Sequence, residues 1–479
     1  MKIAIMHYHL KPGGVTTVIR RQISALKSLY GKDVEILVIT GEAPQDFKND
    51  RRDVDAPYDL AVIPGIGYDK VSHKPNSPEV TARFIIDVMR RKWPEKGCDI
   101  LHVHNPTLAK NRFFLNILKI LQKEGVNLIL QIHDFAEDGR PTAYFDEPYP
   151  ENCHFAVING RDYNNLYASG LNKSGLHLLP NAVIPFTQGD AVSGNYILYP
   201  VRAIRRKNIR EAALISFYLS KPLKITLPPN SPSDMAPYEN FTVFIRTHGL
   251  PIEIGAGIDH NFSELVQNAL FILTTSITEG FGFTYTEPWT MGKYVVGRRL
   301  SGITDDFEKN GIVLSQLYSS LNIPLSWAGQ SYLSLFRKIY REMSAFFGKD
   351  QEAGVLESFI KGMEKNRVVD MGLLNETFQD RVLKKVLSDS AAKTVLEELN
   401  PFLKRLSAFN PDTPKQKNIL DKNRETVVKQ YDLNGNGRRL MEIYGHTLSR
   451  TVIHKIDKAV LVKRYLDPST FSLLKWGKP

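Results

Sequence analysis

The chain has 479 residues, enough for two α/β domains, and its 42% hydrophobic and 24% charged residues are globular proportions that exclude a disordered chain. Its two cysteines, Cys98 and Cys153, are too few for a disulfide framework, and no apolar run approaches the roughly 18 to 20 residues of a membrane span. A net charge of +11 admits nucleic acid, anionic membrane or polyanionic ligand as partners, but the basic clusters at Arg90, Arg91, Lys92 and at Arg202, Arg205, Arg206, Lys207, Arg210 lack interleaved aromatics, which disfavours nucleic acid.

Residues 2–8 (KIAIMHY) read as a strand rather than a signal peptide, so a cytoplasmic location is expected. A glycine loop (residues 9–17), apolar residues at helical spacing (18–29) and a second strand (34–40) open a doubly wound sheet. In that loop Gly13 and Gly14 allow backbone amides to approach a phosphate or sugar, the alternative being a plain tight turn; GxGxxG is absent, which argues against a dinucleotide. Asp53 and Asp55 form a DxD with no strand before them and are discounted as a metal motif. Strands follow at 100–104 and 127–133, and His102 and His104 share one face, so a metal site with His133 or Asp134 is an alternative to histidines lining a strand edge. Residues 135–152 form a long acidic and aromatic loop, expected either to face an acceptor or to be solvated.

Further strands are expected at 154–159, 196–201, 223–227, 241–245, 269–273 and 294–297, with residues 176–183 closing the first domain and loops at 228–238 and 252–259. Between the last two strands lies LTTSITEGFGFTYTEPWTMG, a glycine loop leading into a helix-like stretch, so its amides are placed to hold a phosphate. Glu279 and Glu287 flank this turn and suit the hydroxyls of a phosphorylated polyol; Thr284 with Glu287 also fits a plain capping box. From 332 to 402 the pattern is helical and amphipathic. Asp432, Asn434, Asn436 and Gly437 open an EF-hand-like run, but Ile443 stands where a bidentate glutamate is required. Residues 452–465 read as an amphipathic helix with Val452, Ile453, Ile456 and Val460 on its apolar stripe and Lys455, Lys458, Lys463 and Arg464 outside it, either packed on the first domain or lying on an anionic bilayer.

Glu279 and Glu287 within EGFG, followed by Gly292, Lys293, Val295, Val296, Gly302 and Ile303, resemble the donor-sugar motif of retaining glycosyltransferases of the GT-B fold, family GT4. KPGGV resembles that family's opening glycine loop, His133-Asp134 its TxHD element with Gln131 where threonine is usual, and Arg202 with Lys207 its diphosphate grip. The resemblance implies an α/β chain of two Rossmann-like domains facing across a cleft: 1–187 on the acceptor side and 188–347 on the donor side. A helical insertion (348–417) and closing helices (418–479) that pack back toward the first domain complete it. It implies a retaining, metal-independent hexosyltransferase with no cofactor beyond a UDP- or GDP-sugar cosubstrate. Its acceptor would be a saccharide, lipid or small molecule, with peripheral membrane contact as an alternative. His133, Arg202, Lys207 and Glu279 would be catalytic. Gly13, Gly14, Gly280, Phe281, Gly282, Phe283, Thr284 and Glu287 would bind the donor. A catalytically silent binding subunit, or a phosphorylase or epimerase on the same fold, are the other readings.

Overall fold

A computed structural model describes residues 1–42, 58–69, 77–186, 194–348 and 353–477; Asp53, Asp55 and most of the 187–194 linker lie outside them. The chain divides into two compact units, Met1–Ile184 with Gln430–Tyr465, and Pro185–Lys429 with Leu466–Pro479.

The first unit is built on a seven-stranded parallel sheet of β1 (Lys2–His7), β2 (Glu35–Thr40), β3 (Asp59–Val62), β4 (Ile100–His104), β5 (Leu128–Ile132), β6 (His154–Val157) and β7 (Leu176–Leu178), in the order β3-β2-β1-β4-β5-β6-β7. The helices Gly14–Tyr30 and Leu433–Ser449 cover one face with Ile19, Ile23, Leu26, Leu440 and Tyr444, and Phe114, Leu118 and Trp93 fill the other. The second unit has six parallel strands, β8 (Tyr196–Arg202), β9 (Leu223–Leu227), β10 (Ile252–Ile254), β11 (Ala269–Thr274), β12 (Val295–Arg298) and β13 (Leu317–Tyr318), ordered β10-β9-β8-β11-β12-β13. Strand order therefore reverses between β1 and β4 and again between β8 and β11, and loops leaving such strands form the ligand crevice of a doubly wound sheet. At Gly297 a Cβ would lie 1.9 Å from the Thr274 carbonyl, so the β11–β12 approach depends on glycine.

Several expectations are corrected. Residues 241–245 are not a strand, and 228–238 is not wholly a loop: both fall within or run into the helix Pro232–Thr247. Proline at its first turn starts that helix, and Phe241, Phe244 and Ile245, buried at i, i+3, i+4, give it a helical face that a short apolar run conceals. The stretch 252–259 holds β10 and the turn Ala256–Asp259. Within the helical region an antiparallel pair, β14 (Asn322–Pro324) with β15 (Val368–Asp370), ties the later segment to the second unit. The expected helix over 452–465 is confined to Lys458–Tyr465. Before it the chain is extended, burying Val452, His454 and Ile456 while Ile453 is 80% exposed, a period of two where a period of 3.6 had been read. Its apolar residues pack within the first unit, where Leu461 and Tyr465 join the main core. No helix among the described residues is long and apolar enough to cross a membrane. Asp432, first residue of the EF-hand-like run, caps the helix Leu433–Ser449 by accepting from the Gly435 amide.

Candidate active site

In the second unit the loops after β8 and β11 are sewn together. After β8 the chain makes a 3-10 turn, Arg205–Lys207, and Asn208 takes the left-handed conformation (φ 53°) to start the helix Ile209–Leu219. The Tyr199 hydroxyl donates to the Lys207 carbonyl at 2.8 Å and accepts from the Thr275 amide at 3.2 Å. Thr275 Oγ1 lies 3.0 Å from the carbonyls of Lys207 and Asn208, and the Ile277 amide donates to the Arg206 carbonyl at 3.0 Å. This seam sets the Lys207 ammonium against Glu279 Oε1 in an ion pair whose side chains are only 12% and 9% exposed. Burial opposes the Glu279 charge, but Lys207 first and Arg206 second outweigh it, holding the carboxyl below its ordinary range. Burial also draws the Lys207 ammonium down, against the pull of Glu279.

The second cation acting on Glu279 is thus Arg206, which the spacing of Arg202 and Lys207 did not single out. Arg202 is exposed and its guanidinium donates to the Pro228 carbonyl at 3.4 Å. Behind the loop, Arg205 is gripped by both Glu376 oxygens (2.5 and 2.9 Å) and by the carbonyls of Gly477 (2.5 Å) and Leu473 (3.3 Å). Gln379 donates to Asn208 Oδ1 at 2.7 Å, and Arg210 pairs with Asp380 at 2.6 Å. Deeper still, Arg298 bridges the fully buried Glu211 at 2.5 Å and the partly buried Asp370 at 2.6 Å. The helical segment therefore backs the Lys207 loop, a contact set 170 or so positions apart in sequence that local pattern does not disclose.

In the EGFG loop Gly282 has φ 86°, and a Cβ there would lie 2.8 Å from the Tyr285 ring. That ring is buried and its hydroxyl donates to the Arg298 carbonyl at 2.7 Å, so the position requires glycine on two grounds. Phe281 packs edge-on against Phe283 and Phe307, at 5.0 and 5.4 Å between centroids. Gly280, Thr284 and Glu287 are half-buried. The capping box is not formed: Thr286, not Thr284, caps the helix Glu287–Thr290, with no side-chain cap bond. Because that helix is one turn long, after the 3-10 turn Phe283–Tyr285, its dipole is much weaker than the sequence suggested, and the side-chain cations carry the positive charge.

In the first unit Gly13 is extended (φ 170°) and a Cβ on Gly14 would meet nothing within 4 Å. Neither residue serves a strained turn; together they leave open room before a 17-residue helix whose N-terminus no side chain caps. After β4, Asn105 is left-handed (φ 56°) and its Oδ1 accepts from the amides of His133 (3.2 Å) and Asp134 (3.0 Å), which fixes the turn after β5. Asp134 pairs with Arg140 at 2.7 Å. His133 Nε2 lies 3.1 Å from His104 Nδ1 with the rings stacked, His104 stacks on His102, and His102 Nδ1 lies 2.8 Å from the Tyr444 hydroxyl. Burial pulls His133 down to about 4 and His102 to about 3, and His104 well below the ordinary imidazole value, so all three are neutral near pH 7. Among the described residues no group of three or more His, Cys, Asp or Glu has a metal-holding arrangement.

The 135–152 loop turns inward instead of into solvent. Glu137 is fully buried, accepts from the Tyr149 hydroxyl at 2.8 and 3.0 Å, and is pushed up by burial. Lys458, expected on the exposed face of its helix, reaches into the loop: it donates to the carbonyls of Phe145 and Glu147 and lies 4.0 Å over the Tyr144 ring, and burial lowers it to about 8.

No family model matches this chain. A mannosylglucosyl-3-phosphoglycerate synthase of Petrotoga mobilis is 29% identical over 340 residues, 63% of this chain and 65% of that protein, so the match spans just under two thirds of the relative. A glycosyltransferase from Rickettsia africae superposes with a TM-score of 0.56 at 14% identity, covering 94% of this chain and 99% of the other. HepE of Anabaena, in complex with UDP and glucose, gives 0.53 at 12% identity, covering 92% and 98%. The lipopolysaccharide outer core galactosyltransferase WaaB gives 0.50 at 14% identity, covering 92% and 99%. At such identities the likeness is one of fold.

Proposed function

We propose that this chain, GT-B in fold and GT4-like in its motifs, is a retaining glycosyltransferase that moves a hexose from a nucleoside-diphosphate sugar to a small anionic acceptor. The observation that carries the reading is the buried Lys207–Glu279 pair, held between the loops of the two strands at which the second sheet reverses its order. As the diphosphate departs, negative charge grows on its oxygens. Lys207 is fixed before the reaction in surroundings poor in water, where such a charge is most effective, with Arg206 beside it and the exposed Arg202 at the outer edge. In this reading the amides of Gly280, Phe281, Gly282, Phe283 and Thr284 and those after Gly13 and Gly14 donate to the donor's phosphate and sugar oxygens. Glu279 accepts from sugar hydroxyls, Glu287 from ribose hydroxyls, and His133 contacts the sugar near its reacting carbon.

The acceptor class rests on the relative's name, a synthase of a glycosylated phosphoglycerate, and on a net charge of +11 that favours an anionic partner. Donor preference is open between UDP- and GDP-sugars; HepE was solved with UDP and glucose. The test is to incubate the protein with UDP-glucose, GDP-mannose and related donors, each with glucosyl-3-phosphoglycerate, neutral saccharides or lipid acceptors. Nucleoside diphosphate release and the anomeric configuration of the product are read. The expected result is acceptor-dependent release, a product of retained configuration, and full activity in chelator because the cations are side chains. Binding of nucleoside diphosphate without turnover of any donor would instead identify a silent binding subunit, and an inverted product would refute the retaining mechanism.

A further inference from the structure

The contact between His104 and His133 has chemical content beyond packing. The two nitrogens that face each other, His104 Nδ1 and His133 Nε2, are 3.1 Å apart, and with both rings neutral one must donate and the other accept. Of the remaining nitrogens, His104 Nε2 is buried and meets no hydrogen-bond partner among the described residues. Two arrangements satisfy the pair. If His133 donates, His104 carries its own proton on Nε2 and a buried N–H is orphaned; if His104 donates, only a lone pair is orphaned there. Unpaired buried N–H groups are the rarer and costlier defect. A flip of the His104 ring would put Cδ2–H where Nδ1 now faces His133 and forfeit that hydrogen bond, so the observed orientation is the one the pair holds. His133 is fixed as firmly, through the Asn105 side chain on its amide and the neighbouring Asp134–Arg140 pair.

We infer that His104 is a positioning residue that sets the tautomer of His133: it donates from Nδ1 to His133 Nε2, so His133 carries its proton on Nδ1. His133 Nδ1 makes no hydrogen bond to any described residue and is the nitrogen left for a substrate. Resting on the reading that His133 meets the donor sugar, the consequence is specific. His133 offers that substrate an N–H, which can donate to a sugar hydroxyl or to the oxygen of the departing group. It offers no lone pair there, so it does not act as a general base. The free histidine side chain prefers the opposite tautomer, with the proton on Nε2, so the state assigned here is one that the protein imposes.

The experiment is long-range proton–nitrogen NMR on the full chain labelled at histidine, with the His133 signals identified by their loss in His133→Asn. In the wild type, Nδ1 of His133 is expected to carry the proton and Nε2 to be bare. In His104→Met, whose thioether sulfur can accept but not donate, and with circular dichroism confirming the fold, the Nε2–H form should take over and sugar transfer should slow by about tenfold, the size of one lost hydrogen bond. His104→Asn, which places an amide N–H near the position of Nδ1, should keep the Nδ1–H form and most of the rate. A wild-type proton on Nε2, or the same His133 tautomer in all three proteins, overturns the assignment. Because the spectra are read without substrate, they decide the tautomer even if no nucleotide sugar is turned over, an outcome that would count against glycosyl transfer alone.

Discussion

Replacing Lys207 with methionine keeps much of the side-chain volume and strips Glu279 of its main counter-charge. Removing one partner of a buried ion pair costs about 3 to 5 kcal/mol. Arg206 and the Ser276 hydrogen bond still favour the Glu279 charge, so the low end applies, about 3 kcal/mol. That corresponds to a fall in Tm of about 6 to 12 °C for a domain of this size. The pH dependence has a definite sign. In the wild type the folded pKa of Glu279 lies below its ordinary 4.5, so the pair's contribution is present above that value and is lost as pH falls through the lower folded one. In Lys207→Met burial dominates and the folded pKa moves above the ordinary value, so the variant gains relative stability as pH drops from 7 toward 5 by protonating Glu279. Thermal melts of both proteins at pH 7 and pH 5 should show the Tm gap narrowing, and Lys207→Met with Glu279→Gln should recover most of it. The rate should fall by about 10² to 10³ in kcat, as when one preorganised charge is removed from a developing anion. A Tm gap that is the same at both pH values, or a variant as active as the wild type, refutes the reasoning.

Arg206→Ala should lower kcat by about a hundredfold while Arg202→Ala has a smaller effect, since only the former charge acts on Glu279; equal losses in steady-state assays would reinstate the spacing-based assignment. Asn105→Ala should reduce stability by about 1 to 3 kcal/mol through loss of the left-handed cap and its two amide bonds, and Asn105→Gly should recover the backbone part only, as read by chemical denaturation. Gly297→Ala should fail to fold at 37 °C, because its Cβ meets the Thr274 carbonyl at 1.9 Å; a soluble variant with wild-type circular dichroism would contradict this. Liposomes rich in phosphatidylserine should not co-sediment the protein through residues 452–465, where Val452, Ile456, Leu461, Val462 and Tyr465 are buried and the exposed Ile453 and Ala459 make no apolar stripe.

Most strands of both sheets were legible because a parallel sheet covered on both faces writes itself as short apolar runs, as at 100–104 and 269–273. The misreadings have physical causes. β3 escaped although Leu60 to Ile63 is an apolar run, because it is a four-residue edge strand with Leu60 and Val62 exposed and a run that short does not tell strand from loop. Residues 241–245 are compatible with either period over five positions, and only the proline start at 232 and the spacing of Phe241 and Phe244 distinguish them. Lys207, Glu279 and Gly282 each stood out in a motif, but neither the pairing of the first two nor the Tyr285 ring that demands glycine at 282 was readable from spacing. Arg206, Tyr199 and the His104–His133 contact were not, since each depends on which loops the sheet order brings side by side. His102 and His104 on one strand face suggested a metal; what that alternation produced is a neutral histidine stack ending on a tyrosine.

The grip on Arg205 has a consequence for how the protein is made. Its guanidinium is satisfied by Glu376 and by carbonyls at Leu473 and Gly477, the last 272 positions further along the chain. During synthesis the second sheet can emerge and pair its strands long before those partners exist, because β8 to β13 are complete by residue 318. Until then the turn that carries Lys207 lacks the bonds that Arg205 makes to these later residues. A nascent or prematurely ended chain would therefore possess the sheet and the glycine loop yet lack the full backing of the Lys207 turn, so that in the function proposed above nucleotide affinity is acquired late, after the fold itself. This order can be followed by measuring nucleoside diphosphate binding on ribosome-stalled chains of increasing length, where affinity should rise only once residues 473–477 have cleared the exit tunnel.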